Sequence, residues 1–292
     1  MIRMRFVALL VAIGILVSST PAAAAKFHDY LALGDSVAFG FDPLVPLEGR
    51  FSPSNFVGYP EVLASLLPLT LTNASCPGEA SGGFISVSSA LDNGCRPYRA
   101  NFPLHVNYPT SQSQLDFAIA FLREHRQTKL ITIDIGANDL FMLQGACVGA
   151  SDPSACVQTN LPTLLAQLRE NLSTIYARVR HDGHFHGRLV ALTYYALDYT
   201  DAAQVAVIGA LNGVVSQVTL AQPAGRVADG FGAFAAASGR SGSPCVAGLL
   251  IRLTPVICDV HPSRAGRELL ARTIRAILSQ DVGDNGDNVG QD

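Results

Sequence analysis

Apolar and polar positions along this chain switch repeatedly between two periods. DYLALGD (29–35) is a short apolar run that ends in a polar turn, as expected of a buried strand. GYPEVLASLLP (58–68) spaces its apolar residues by three and four and predicts a short helix, and LTLTNAS (69–75) predicts a second strand. SQSQLDFAIAFLREHRQ (111–127) predicts a helix capped by Ser111 or Ser113, leading directly into TKLITIDIGAND (128–139), the clearest buried strand of the chain. LPTLLAQLRENLSTIYARVRHD (161–182) predicts a long helix, GRLVALTYYAL (187–197) a strand, and DAAQVAVIGALNGVVSQVTLA (201–221) another helix. GRVADGF (225–231) predicts a last short strand and SRAGRELLARTIRAILSQ (263–280) the terminal helix.

Strand–helix–strand order with short links predicts an α/β fold, a central parallel sheet with helices on both faces. Two irregular stretches, 40–57 and 81–110, are rich in Phe, Pro, Ser and Asn. They are expected to rim a site above the sheet, because ligands of such folds bind outside the carboxyl ends of the strands. There is no internal repeat and no linker, so one domain is expected over 26–280. The tail DVGDNGDNVGQD (281–292) is acidic and Gly/Asn-rich, a composition expected to be disordered.

Composition bounds the rest. The chain has 292 residues, 49% hydrophobic and 15% charged, enough for a sizeable core. Residues 1–25 read as a cleaved signal: Arg3 and Arg5, then VALLVAIGILV, then the small residues of SSTPAAAA. An uncleaved N-terminal anchor is the alternative, and the short apolar run disfavours it. Secretion or export to a periplasm follows. The formal charge of −3 becomes about −5 once Arg3 and Arg5 are removed, leaving 18 basic against 23 acidic residues. With no basic block, nucleic acid is not an expected partner. No later segment is expected to span a membrane, and a monomer is the default. In an oxidising compartment the six cysteines predict disulfides. Nearest-neighbour pairing would join Cys76 to Cys95, Cys147 to Cys156 and Cys245 to Cys258; the absence of CxxC disfavours zinc.

The chain lacks G-x-S-x-G, G-x-G-x-x-G and the P-loop pattern, so the usual elbow nucleophile and the common nucleotide sites have no support. Three strand ends nevertheless carry polar residues that chemistry can use. LALGDSVAFG places Ser36 at a carboxyl edge, NASCPGEAS places Gly78 after the second strand, and IDIGAND places Asn138 after the third. A cap or turn explains each stretch separately. It does not explain why all three fall at one sheet edge in a chain that also carries a loop histidine, in CDVHPSRAG (258–266).

Together GDS, NASCPGEAS, GAND and DVHPSRAG resemble four ordered sequence blocks of the SGNH, or GDSL-type, hydrolases, across about residues 29–280. The resemblance implies that family's flavodoxin-like three-layer αβα sandwich and a cofactor-free ester hydrolase. It implies Ser36 as nucleophile and His261 as general base, with an oxyanion hole made of the Ser36 and Gly78 backbone N–H groups and the Asn138 side chain. Asp35 and Asp139 would brace their loops. This accords with elementary chemistry, since a serine hydroxyl needs a base and an oxyanion needs preorganised donors.

One position departs from the family pattern, which places an acid three residues before the histidine. Here that residue is Cys258, and the acid is Asp259, two before. Residues i and i+2 of an extended segment share a side, so Asp259 can reach the imidazole; a backbone carbonyl near Cys258 is the alternative. HDGHFHG (181–187) offers His181, His184 and His186, read as an exposed helix end rather than a metal site. Phe39, Phe41, Phe51 and Phe56 could line an acyl pocket or pack the rim. Lipid-like or short-chain acyl esters are the expected substrates. Carbohydrate acetyl esters, phospholipids and acyl transfer are variants on the same site, and a non-catalytic exported binding protein is the rival from another class.

Overall fold

The computed structural model describes residues 28–88 and 95–284; the expected signal at 1–25 lies outside them. Strand β1 (His28–Gly34) leads into two short helices, α1 (Ser36–Phe39) and α2 (Leu44–Leu47), then α3 (Tyr59–Leu66) and β2 (Leu69–Asn73). Helices α4 (Ser81–Ile85), α5 (Cys95–Asn101) and α6 (Gln114–Glu124) precede β3 (Leu130–Asp134), which is followed by α7 (Ala137–Cys147) and α8 (Pro153–His181). Next come β4 (Arg188–Leu192), α9 (Ala202–Leu220), β5 (Gly225–Ala228) and α10 (Gly230–Ser238). The hairpin β6 (Leu250–Arg252) and β7 (Cys258–Pro262) and the terminal α11 (Arg264–Asp284) complete the order. α11 thus runs four residues into the stretch read as tail; 285–292 lie outside the described residues.

The first five strands form one parallel sheet in the order β2-β1-β3-β4-β5. Helices α3 and α11 pack together on one face, while α6, α8 and α9 pack on the other. The sandwich is therefore the expected three-layer one. β3 explains why the sheet must be central: all five of its residues are buried, so it needs apolar cover on both faces. From β1 the chain moves out to β2 and then returns to β3 on the other side of β1. The topological switch lies between β1 and β3, where ligands of such sheets bind.

Several elements differ from the sequence expectation. The strand expected over 128–139 stops at Asp134, and helix α7 begins at Ala137. Helix α8 starts at Pro153 rather than 161 and carries Pro162 inside it; Asp152 caps it by accepting from the Ala155 N–H at 2.9 Å. The stretch 81–110 is partly helical, and the strand expected over 225–231 stops at Ala228, with α10 taking over from Gly230. The loop around His261 is an antiparallel hairpin. By length and hydropathy α9 could cross a membrane, contrary to expectation. In the fold, Leu211, Val214, Val215 and Val218 bury one side of it in the main core.

Three disulfides join Cys76 to Cys95, Cys147 to Cys156 and Cys245 to Cys258. The first sits in a small separate core with Phe39, Val45, Phe56 and Leu104.

Candidate active site

Sheet register brings the first and third sequence blocks together. Gly34 of β1 pairs with Asp134 of β3, so Asp35-Ser36 and Gly136–Asn138 leave the sheet side by side. Gly34 has φ +134°, and a Cβ there would lie 2.2 Å from Asp134 Oδ1, so only glycine allows this approach. Past β2 the chain stays alongside β1, with the Cys76 N–H donating to Gly34 C=O at 3.0 Å. Gly78 then turns with φ +78°.

Asp35 caps α1, its Oδ1 accepting from the Val37 N–H at 2.9 Å. Its Oδ2 accepts from the Tyr194 hydroxyl at 2.7 Å and from Asn138 Nδ2 at 3.3 Å. Asn138 Nδ2 also donates to the Glu79 carbonyl at 2.9 Å, which ties the Asn138 loop to the Gly78 loop. Asp35 and Asp134 are both buried, and burial pushes both carboxyls up. The charge on Asp35 raises Asp134 further. Asp134 accepts from the Ala38 N–H at 3.1 Å and the Tyr59 hydroxyl at 3.3 Å.

The hairpin brings the fourth block across. His261 Nε2 lies 2.8 Å from Ser36 Oγ. Asp259 Oδ1 accepts from the His261 backbone N–H at 3.0 Å and from its ring Nδ1. Burial works to raise the Asp259 carboxyl, but the hydrogen bond and charge of His261 outweigh it and hold it below the usual range. The side chains are mostly enclosed, 13% exposed for His261 and 22% for Asp259. Phe41 packs on the imidazole with ring centroids 4.9 Å apart. Ser263 caps α11, its Oγ accepting from the Gly266 N–H at 3.3 Å, so one segment both starts a helix and presents the imidazole.

A cavity of about 200 Å³ opens beside Ser36, Asn138 and His261. Ser36, Asn138, His261 and Asp259 are thus gathered at one edge of the sheet. Gly78 is adjacent through Glu79 and does not line the cavity. The phenylalanines pack instead: Phe39 and Phe56 are fully buried, Phe41 is partly buried against them, and Phe51 is 57% exposed. His181, His184 and His186 lie at the opposite, amino-terminal edge, in and after the end of α8. Tyr194 and Tyr195 were not foreseen as site residues, because TYYAL read as strand. The available signal was length: an 11-residue run is about twice a usual strand, so its second half falls beyond the sheet edge. Tyr195 donates to the Val260 carbonyl at 2.7 Å and so steadies the strand that carries His261.

A hydroxyl, an imidazole and a carboxylate in hydrogen-bonded series at the switch point of a parallel sheet define a hydrolase-type α/β protein. The profile of the GDSL-like Lipase/Acylhydrolase family matches residues 32–269, and the chain belongs to that family. No curated protein matches it in sequence. Among solved structures it is similar to phospholipase A1 from Streptomyces albidoflavus, at 19% identity and TM-score 0.55, covering 86% of this chain and 99% of that one. The extracellular lipase of Streptomyces rimosus aligns at 20% identity and TM-score 0.52, over 85% and 99% of the two chains. Axe2, an acetylxylan esterase from Geobacillus stearothermophilus, aligns at 16% identity and TM-score 0.52, over 85% and 93%. At these identities the likeness is one of fold.

Proposed function

We propose that the protein is a secreted serine hydrolase that cleaves carboxylic esters through an acyl-enzyme on Ser36. The observation that carries this reading is the 2.8 Å contact of His261 Nε2 with Ser36 Oγ, with Asp259 on the other ring nitrogen. Ser36 Oγ attacks the ester carbonyl as Nε2 takes its proton, and Asp259 holds the ring and stabilises the imidazolium. The carbonyl oxygen becomes an oxyanion that accepts from the Ser36 N–H, the Gly78 N–H and Asn138 Nδ2. The Asn138 bond to Asp35, at 3.3 Å longer than the one to the Glu79 carbonyl, is given up to the substrate. The imidazolium then protonates the leaving alcohol, and water repeats the sequence on the acyl-enzyme. Three disulfides support an oxidising destination.

The test is hydrolysis of p-nitrophenyl acetate together with labelling by a fluorophosphonate. Turnover and labelling are expected in the wild type, and Ser36→Ala should lose the label and at least ~10⁴-fold in rate. Wild-type protein that is folded but neither turns over nor labels would make it a non-catalytic binding protein.

A further inference from the structure

The cavity at Ser36 has a continuation. Leu140 and Gln144 from α7 and Gln204 and Ile208 from α9 line it, and the same four residues line a second cavity of about 390 Å³. Alone, the first cavity, about 200 Å³, is smaller than the ~300–1,000 Å³ usual for a small-molecule site. Joined, the two fall within that range.

The shape of the continuation is set by three helices. Leu140, Gln144 and Val148 follow one another at four-residue spacing, so they form a single stripe about 12 Å long on one side of α7 and its end. Val207 and Ile208 of α9 also line it, and Val157 from the outer part of α8 completes the wall. That part of α8 stands clear of the main core, which the helix first meets at Leu161. The Cys147–Cys156 disulfide ties it to the end of α7 and fixes the width of the gap.

Its chemistry suits an uncharged chain. No Lys or Arg lines either cavity, so a phosphate or carboxylate would find no permanent cation there. The acid at its rim, Asp201, is engaged in capping α9 through the Ala203 and Gln204 N–H groups. Gln204 is equally committed, its Oε1 accepting from the Leu197 and Asp198 N–H groups at 2.6 and 2.8 Å. The stripe on α7 begins two residues after Asn138. The cleft thus opens beside the residue assigned to hold the ester carbonyl, on the α7 side of Ser36.

We propose that this cleft binds the acyl chain of a medium-chain ester. Its ~12 Å matches roughly eight to ten carbons of a saturated chain with C–C bonds of about 1.5 Å. The inference rests on the ester hydrolase reading of Ser36.

The experiment compares kcat/KM on p-nitrophenyl acetate, butyrate, octanoate, decanoate and palmitate. In the wild type, kcat/KM should climb by up to roughly fourfold per added methylene until the cleft is full, then level off. Val157→Trp and Val207→Trp narrow the cleft from opposite walls, and each should lower the decanoate-to-acetate ratio at least tenfold. Thr159→Trp, exposed on α8 and outside the lining, should leave that ratio at the wild-type value. Circular dichroism confirms that each variant is folded. A wild-type rate that is highest on acetate, or an unchanged ratio in folded Val157→Trp and Val207→Trp, overturns the cleft assignment while leaving the hydrolase standing. Absence of any Ser36-dependent turnover and labelling overturns both.

Discussion

Asp139 holds Ser81 by two bonds at once. Its Oδ2 accepts from the Ser81 backbone N–H at 2.9 Å and its Oδ1 from the Ser81 hydroxyl at 2.5 Å. Asn171 of α8 donates to the same hydroxyl at 2.8 Å. Asp139 directly follows Asn138, and Ser81 lies three residues after Gly78, so this pair spans the two loops that carry the proposed oxyanion donors. All three partners are buried.

Removing the carboxylate should therefore cost both stability and rate. In Asp139→Ala the Ser81 N–H is left buried without its acceptor, an expected loss of about 3 kcal/mol in urea unfolding. The same variant should lose about tenfold in kcat on p-nitrophenyl acetate, because the two loops are no longer tied. A variant with wild-type kcat would reduce Asp139 to a structural residue.

Asp259 sits two residues before His261 and still meets Nδ1 through the extended backbone of β7. Asp259→Asn keeps the shape but cannot accept from the ring in the same way and favours the wrong tautomer. It should lower kcat by about 10²–10⁴ with little change in KM. Wild-type kcat in the variant would transfer the orienting role to the backbone.

Asp134 makes stability depend on pH in an unusual direction. Burial, and then the Asp35 charge, raise its carboxyl well above the ordinary range, so the folded protein holds a proton that the unfolded chain releases. Such a group contributes fully below its unfolded pKa of about 4, and the contribution is lost as pH rises toward the folded value. Stability should decline with rising pH by up to ~1.4 kcal/mol per unit from this proton. Asp134→Asn keeps one acceptor oxygen, for the Ala38 N–H, and replaces the other with an NH2 that carries no titratable proton, so it should flatten that slope. Urea midpoints at pH 5 and pH 8 check this; an unchanged difference between them would mean that Asp134 is ionised in the folded state.

The sheet was legible because β1 and β3 are continuous apolar runs with nowhere to go but a doubly covered layer. The site was legible because its residues sit where those runs stop. Helix α7 was not, since Leu140, Phe141, Met142 and Leu143 are consecutive rather than spaced, and it buries only Asn138, Asp139, Leu140 and Cys147. The outer turns of α8 were hidden by Pro162, which resembles a first-turn proline. Its Asp152 cap and the disulfide to α7 come earlier and are local features of another kind. The acyl cleft depends on both of these helices, and so could not be drawn from periodicity. The four rim phenylalanines drew attention by composition alone, and composition does not separate packing from binding.

The pairing of the cysteines bears on how the molecule is made. Each joins the next one in the chain, with separations of 19, 9 and 13 residues, and no bond encloses another. A polypeptide oxidised in the order in which it emerges, amino end first, would reach the native set by taking each new thiol as the partner of the one before it. No mispaired intermediate has to be undone, so the last bond formed, Cys245–Cys258, closes just before Asp259 and His261 come into play.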